Sequence, residues 1–210
     1  MPADVIPLPS YTTCQSLLDA HLTELQNRFG MATWMITRLS GEDLILLRVQ
    51  DGHYGLQRGE RLQWQNSYCV RMVELGAPRI TTDVSTDPND PFSSLNNSLD
   101  IGAYIGLPLV DSDNRLFGTL CAMDPQAQPA DLANALPSLT HDAALISFLL
   151  NNAVREAREK RLTTFVEHPD RCDDTGLPGR KGWDDICRQE ASNCRDFGLQ
   201  ASVLYLQAPE

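Results

Sequence analysis

The chain has 210 residues, 42% of them hydrophobic and 21% charged. That length suits one domain of about 150 residues plus a smaller unit, with a core that holds without metal or disulfide. A formal net charge of −11 repels phosphate backbones and excludes nucleic acid as a partner, because the basic clusters at 155–161 and 180–181 sit among acids.

The longest mainly apolar run, 143–150, is far short of the roughly 20 residues of a membrane span. Residues 1–10 lack the basic start of a secretory signal. The expectation is a cytoplasmic chain with no membrane partner. There the six cysteines, at 14, 69, 121, 172, 187 and 194, are thiols rather than a disulfide framework. None is spaced C-x-x-C, so no metal site is expected.

Residues 11–29 read as a helix, with Leu18, Leu22, Leu25 and Phe29 on one face, Thr12 or Thr13 as cap and Gly30 as stop. Two strand-like runs follow, 32–39 and 43–50, parted by Ser40-Gly41 as in an antiparallel hairpin. Residues 61–65 read as a short third strand. Ser67 then opens a short helix with Val70 and Val73 inward, closed by Gly76 and Pro78. Residues 79–83 read as another short strand and 87–95 as a turn-rich connection. A second hairpin, 101–110 with 115–123, turns at 111–114, and 125–129 is a linker.

From 137 onward the pattern is helical. Ile146, Leu150, Ala153 and Ala157 repeat at four, three and four residues, the spacing of a coiled-coil seam. Leu145, Phe148 and Leu149 broaden the stripe at its start, so this half packs on the domain. After Asn152 charges dominate, as in a helix leaving its domain. A helix over 138–166 is about 40 Å long at roughly 1.5 Å per residue, more than one small core uses, and its seam predicts a homodimer. His168-Pro169-Asp170 ends it. Residues 170–210 hold a turn (174–179), a helix (181–195) and a strand-like stretch (202–206). Such a unit buries no useful core alone and reads as the poorly anchored opening of another domain. The divisions are therefore a sensor core over 1–137, a connecting helix over 138–168 and a fragment over 170–210.

Tyr104-Ile105-Gly106-Leu107-Pro108-Leu109, followed by Gly118-Thr119-Leu120-Cys121-Ala122-Met123-Asp124, resembles the most recognisable stretch of GAF domains. Ser67-Tyr68-Cys69 and Pro78-Arg79-Ile80-Thr81-Thr82-Asp83 match the usual lead-in, and the resemblance covers about 12–155. It implies an α+β fold: a central antiparallel sheet flanked by helices, a small-molecule pocket on one side and a long C-terminal signalling helix. A shorter stretch, Asp174-Thr175-Gly176-Leu177-Pro178-Gly179-Arg180, resembles the opening of GGDEF domains, the diguanylate cyclases. Thr175, Gly176, Leu177, Pro178 and Arg180 match; Cys172, Asp174 and Gly179 depart. The family's metal-binding aspartate falls at Gln207, whose amide lacks the anionic oxygen that Mg²⁺ prefers, and the GGDEF signature itself is absent. Together these imply signal input to a cyclic di-GMP type of output, with no catalytic residue and no cofactor beyond an unidentified small molecule.

The remaining chemistry is sparse. The four histidines (21, 53, 141, 168) are scattered, with no H-E-x-x-H. No G-x-S-x-G or P-loop is present. Cys121 lies in an apolar strand and reads as a small buried hydrophobe. Cys69 opens a helix, where a thiol can be activated, although its neighbours include no His. Trp64, Tyr68, Phe92 and Tyr104 read equally as core filling or as the wall of a ligand site with Asp83 as polar anchor, and Cys69 and Cys121 are further pocket candidates. Three functions stay open: a ligand sensor, a dimerisation scaffold with an empty pocket, and a redox enzyme using Cys69 and Cys121.

Overall fold

A computed structural model describes residues 11, 13–86, 99–167, 170–172 and 174–205. Helix α1 (Cys14–Phe29) starts at Thr13, whose hydroxyl accepts from the Ser16 amide at 3.1 Å. It ends at Gly30, left-handed at φ 70°. Leu18, Leu22 and Leu25 are buried along one side. Both ends thus satisfy backbone groups that a helix leaves unpaired.

Six antiparallel strands form one sheet in the order β3-β2-β1-β6-β5-β4. They are β1 (Thr33–Ser40), β2 (Asp43–Asp51), β3 (Arg61–Gln63), β4 (Ile80–Thr81), β5 (Ala103–Val110) and β6 (Leu116–Asp124). Both expected hairpins are present. The third strand stops at Gln63, short of the expected 65, because Trp64–Asn66 coils into a 3₁₀ turn leading to Ser67. Ser67 caps α2 (Tyr68–Glu74), accepting from the Val70 amide. The connection expected at 87–95 lies outside the described residues.

Successive strand residues point to opposite faces, and both faces are covered. Ile36, Leu47, Ile105, Leu107 and Leu120 pack with α1 and with the long helix α3 (Leu136–Glu167). Met35, Leu44, Leu46, Tyr104, Cys121 and Met123 pack beneath α2. A bulge between Ile36 and Thr37 shifts the β1–β2 pairing, so that Ile36 faces Arg48 while Thr37 faces Leu46.

The β1–β6 ladder runs from Thr33 to Ile36. Beyond it the Thr37 hydroxyl accepts from the Thr119 amide at 3.0 Å and lies 2.7 Å from the Thr119 hydroxyl. The strands approach so closely that a Cβ at Gly118 would overlap the Thr37 carbonyl oxygen and meet Arg38 Cα at 2.8 Å.

The long helix corrects the expected seam. Ile146 and Leu150 are 0% and 2% exposed, packed inside the chain's own core with Leu139, Ala143 and Val154. Ala153 and Ala157 are half-buried against the same core. The chain's own sheet together with α1 and the C-terminal helix therefore cover the stripe that spacing alone assigned to a partner. Ser147 accepts from the Val110 amide at 3.2 Å and Asn151 donates to the Val110 carbonyl at 2.9 Å, fixing α3 to the end of β5. Among the described residues, the large apolar side chains left exposed on α3 are different ones: Leu136 at its start, then Leu145, Phe148 and Leu162.

The C-terminal unit is better anchored than its length suggests. Arg171 bridges Pro178 around a turn with Gly176 at φ 66°, and α4 (Arg180–Phe197) follows. Phe197 is buried in the helix-side core. Arg58 pairs with Asp196 and donates to the Arg195 carbonyl at 3.0 Å, and Gln200 donates to the Ser40 hydroxyl at 2.8 Å. The expected strand at 202–206 does not form: residues 201–205 belong to no strand and are exposed, since a lone strand has no ladder to join. Residue 206 and Gln207 lie outside the described residues.

The close approach at Gly118 yields a stability prediction. Gly118→Ala forces β1 and β6 apart and should destabilise the fold by roughly 2–3 kcal/mol, read as a clear fall in melting temperature. An unchanged melting temperature contradicts the described contact.

Candidate functional site

Alternation along the strands builds a cavity of about 290 Å³ between the sheet and α2. Its floor carries Met35 and Thr37 of β1, Leu44 of β2, Tyr104 of β5, and Cys121 and Met123 of β6. Ser67, Tyr68 and Cys69 form the wall at the start of α2. Leu62, Leu99 and Ile101 close the sides, and exposed Arg61, Gln63 and Asn66 form the rim. The lining is mainly apolar with a few convergent polar groups, the usual make-up of a small-molecule site.

Those polar groups meet at one point. Cys69 Sγ lies 3.2 Å from Cys121 Sγ, 3.2 Å from the Tyr104 hydroxyl and 3.2 Å from the Thr119 hydroxyl. Cys121 donates to the Thr119 hydroxyl at 3.0 Å, and Tyr104 lies 3.3 Å from Cys121 Sγ. The Tyr68 and Tyr104 rings are 5.1 Å apart. Tyr104 reaches the sulfurs by lying back along its own strand, over Gly106. A Cβ at Gly106 would stand 2.5 Å from the Tyr104 hydroxyl oxygen, so the Tyr-x-Gly spacing is what admits this rotamer.

The electrostatics of the two thiols diverge. Hydrogen bonding from Cys121, and then from Thr119, Tyr104 and Ser67, pulls the Cys69 thiol below its ordinary value against the opposing effect of burial. Burial first, and then the neighbouring Cys69, pushes Cys121 well above its ordinary value. Burial likewise raises Tyr104. Of the two thiols, Cys69 is therefore the one whose surroundings favour the thiolate.

Of the residues singled out from the sequence, Tyr68, Cys69, Tyr104 and Cys121 line this cavity together. Trp64 does not. It is buried in the adjoining apolar cluster, where its indole donates to Glu74 at 2.8 Å, because the 3₁₀ turn carries it away from the strand. Asp83 does not serve as the polar anchor. Its carboxylate accepts from the Ser85 amide and hydroxyl at 2.9 and 2.6 Å, closing the turn at 84–86. Phe92 lies outside the described residues. Sequence reasoning missed Met35, Thr37, Leu44, Met123 and Thr119. The signal for Met35 and Thr37, and for Thr119 and Met123 beside Cys121, was the two-residue period of each strand.

Among the described residues no three of His, Cys, Asp and Glu converge as a metal site. No helix among them is long and apolar enough to cross a membrane.

Residues 13–153 match the family model described as GAF domain. Solved structures share the fold at low identity. The GAF domain of PixJ from Thermosynechococcus elongatus, in its blue-light absorbing form, is 15% identical at a TM-score of 0.54, covering 74% of this chain and 94% of that one. A free methionine-R-sulfoxide reductase from Neisseria meningitidis, in complex with its substrate, is 22% identical at 0.54, covering 70% and 83%. The GAF-B domain of DevS from Mycobacterium smegmatis is 16% identical at 0.53, covering 70% and 98%. None of the curated proteins compared matches the chain.

The Tyr104 hydroxyl supports the Cys69 thiolate, so its removal has a definite sign. Tyr104→Phe should leave the fold intact and move the pH midpoint of Cys69 alkylation upward, as followed by peptide mass spectrometry. A midpoint that stays put or falls shows that Tyr104 does not stabilise the thiolate.

Proposed function

The chain belongs to the GAF domain family, and on that premise we propose that it is a signal-input module whose cavity takes a small, largely apolar ligand. The supporting observation is that the same strands line the cavity and carry the long helix. Tyr104 and Cys121 face the cavity, while their neighbours Ile105 and Leu120 face the core that holds α3. A ligand that displaces the floor therefore moves the residues on which α3 rests. It acts as a switch if it binds one arrangement of α3 better than another. The cavity lies at the lower end of the usual ligand-site range, which suits a compact molecule with one polar group directed at the thiol cluster.

The output is proposed to be of the GGDEF type, on the strength of the turn Thr175-Gly176-Leu177-Pro178 and Arg180. The chain itself is read as an input to that output and not as a cyclase. Two copies are proposed to pair through α3, using Leu145 and Phe148, which are 49% and 65% exposed, and Leu162, on the side away from the buried stripe.

Two measurements test this reading. A ligand at about 100 times its Kd should raise stability by roughly 2.7 kcal/mol in a thermal-shift screen led by native mass spectrometry. Leu44→Trp, which fills the cavity, should remove that shift. Equal stabilisation of both proteins, or no stabilising compound at all, favours a scaffold with an empty pocket. Incubation with GTP and Mg²⁺ should yield no cyclic di-GMP. Product above a no-protein blank refutes the assignment as a non-catalytic module.

A further inference from the structure

The cavity contains chemistry that ligand sensing does not require. Cys69 and Cys121 come from different elements, 52 residues apart, yet their sulfurs lie 3.2 Å from each other. Both line the cavity, and both are buried at 5% and 2% exposure. A disulfide needs a sulfur separation of about 2.05 Å, so the pair must close by little more than about 1 Å. The cavity rim is polar and exposed at Arg61, Gln63 and Asn66, and its volume of about 290 Å³ admits a molecule far larger than water.

We propose that Cys69 and Cys121 form an oxidation site for small hydroperoxides, with Cys69 attacking and Cys121 resolving. The Cys69 thiolate attacks the terminal peroxide oxygen. The O–O bond breaks, that oxygen joins Cys69 as a sulfenic acid, and the remainder leaves as an alcohol, or as water from hydrogen peroxide, after taking one proton. Cys121 Sγ then attacks Cys69 Sγ. The S–S bond forms, the S–O bond breaks, and the hydroxyl departs with the Cys121 proton as water. Two thiols are oxidised by two electrons and one peroxide is reduced.

The neighbouring groups fit these roles. The Tyr104 and Thr119 hydroxyls hydrogen-bond both sulfurs, holding the reactive pair together. Cys69 is the thiol that its surroundings favour as thiolate, whereas Cys121 stays protonated, the division of labour that an attacking and a resolving thiol need. The other cysteines are spread over α1, the turn at 171–178 and α4. The bond would tie α2 to β6 across the proposed ligand cavity, so oxidation and ligand occupancy would exclude or reshape one another. That consequence rests on the ligand-sensing reading; the covalent chemistry does not.

The reduced full-length chain, treated with hydrogen peroxide or cumene hydroperoxide, blocked and digested without reductant, reports the outcome by mass spectrometry. The expected product is a peptide pair joined through Cys69 and Cys121, lighter by about 2 Da than its two thiols. In Cys121→Ser, dimedone should instead trap a sulfenic acid on Cys69. The unmodified chain alone suffices should that variant fail to fold. The proposal is overturned if Cys69 and Cys121 are both recovered as free thiols under conditions that oxidise exposed Cys172. It is equally overturned if disulfides form only among the other cysteines. A ligand that binds while no Cys69–Cys121 bond forms removes this proposal and leaves the sensing role intact. The reverse result does the opposite.

Discussion

Between the two central strands, the Thr37 hydroxyl takes the Thr119 amide hydrogen at 3.0 Å and meets the Thr119 hydroxyl at 2.7 Å. This contact stands where the Thr33–Ile36 ladder between the two hairpins ends, and it extends their pairing through side chains. It also begins the polar network of the cavity, because the Thr119 hydroxyl goes on to Cys69 and Cys121 and both sulfurs reach Tyr104. Buried hydrogen bonds of this kind are worth most when every member is satisfied. The glycine at 118, without which the strands could not come so close, is therefore as much a part of the site as the thiols.

The sheet is one strand thick, so its two faces cannot move independently. Tyr104 and Cys121 face the cavity while Ile105 and Leu120 face the helices, and Ser147 and Asn151 bond α3 to the last residue of β5. A change in the cavity floor has a path of two residues to the long helix. Packed cores respond to such displacements by changing arrangement rather than by deforming smoothly.

The C-terminal helix adds a second link on the helix side. Arg48 is 2% exposed and lies 3.4 Å from Asp19 of α1 and 3.8 Å from Asp196 of α4. Burial lowers its pKa, and neighbouring Arg58 lowers it further. An arginine kept there needs its acids, since removing one partner from a buried pair leaves an uncompensated charge. Together with Phe197, this cluster holds α4 on the domain, so the downstream unit and the sensing core share one packed surface.

The strand and helix periods, the caps at Thr13 and Ser67 and the Tyr-x-Gly-x-Pro-Leu stretch were legible from the chain itself, because each depends on residues a few positions apart. Together with the resemblance to GAF domains, they led to an α+β fold with a central antiparallel sheet and made Tyr104 and Cys121 pocket candidates. The fate of the apolar stripe on α3 was not legible. Ile146 and Leu150 have the spacing of a seam whether they meet a partner or their own sheet, and only the crossing of α3 over β5 decided for the sheet. Trp64 and Asp83 were misplaced for a similar reason: a 3₁₀ turn and a local carboxylate cap redirected side chains whose residue types suited a pocket. The meeting of Cys69 with Cys121 spans 52 residues and two elements. No local period encodes it; it exists because α2 packs on β5, the neighbour of β6, and Gly106 lets Tyr104 fold down to close the cluster.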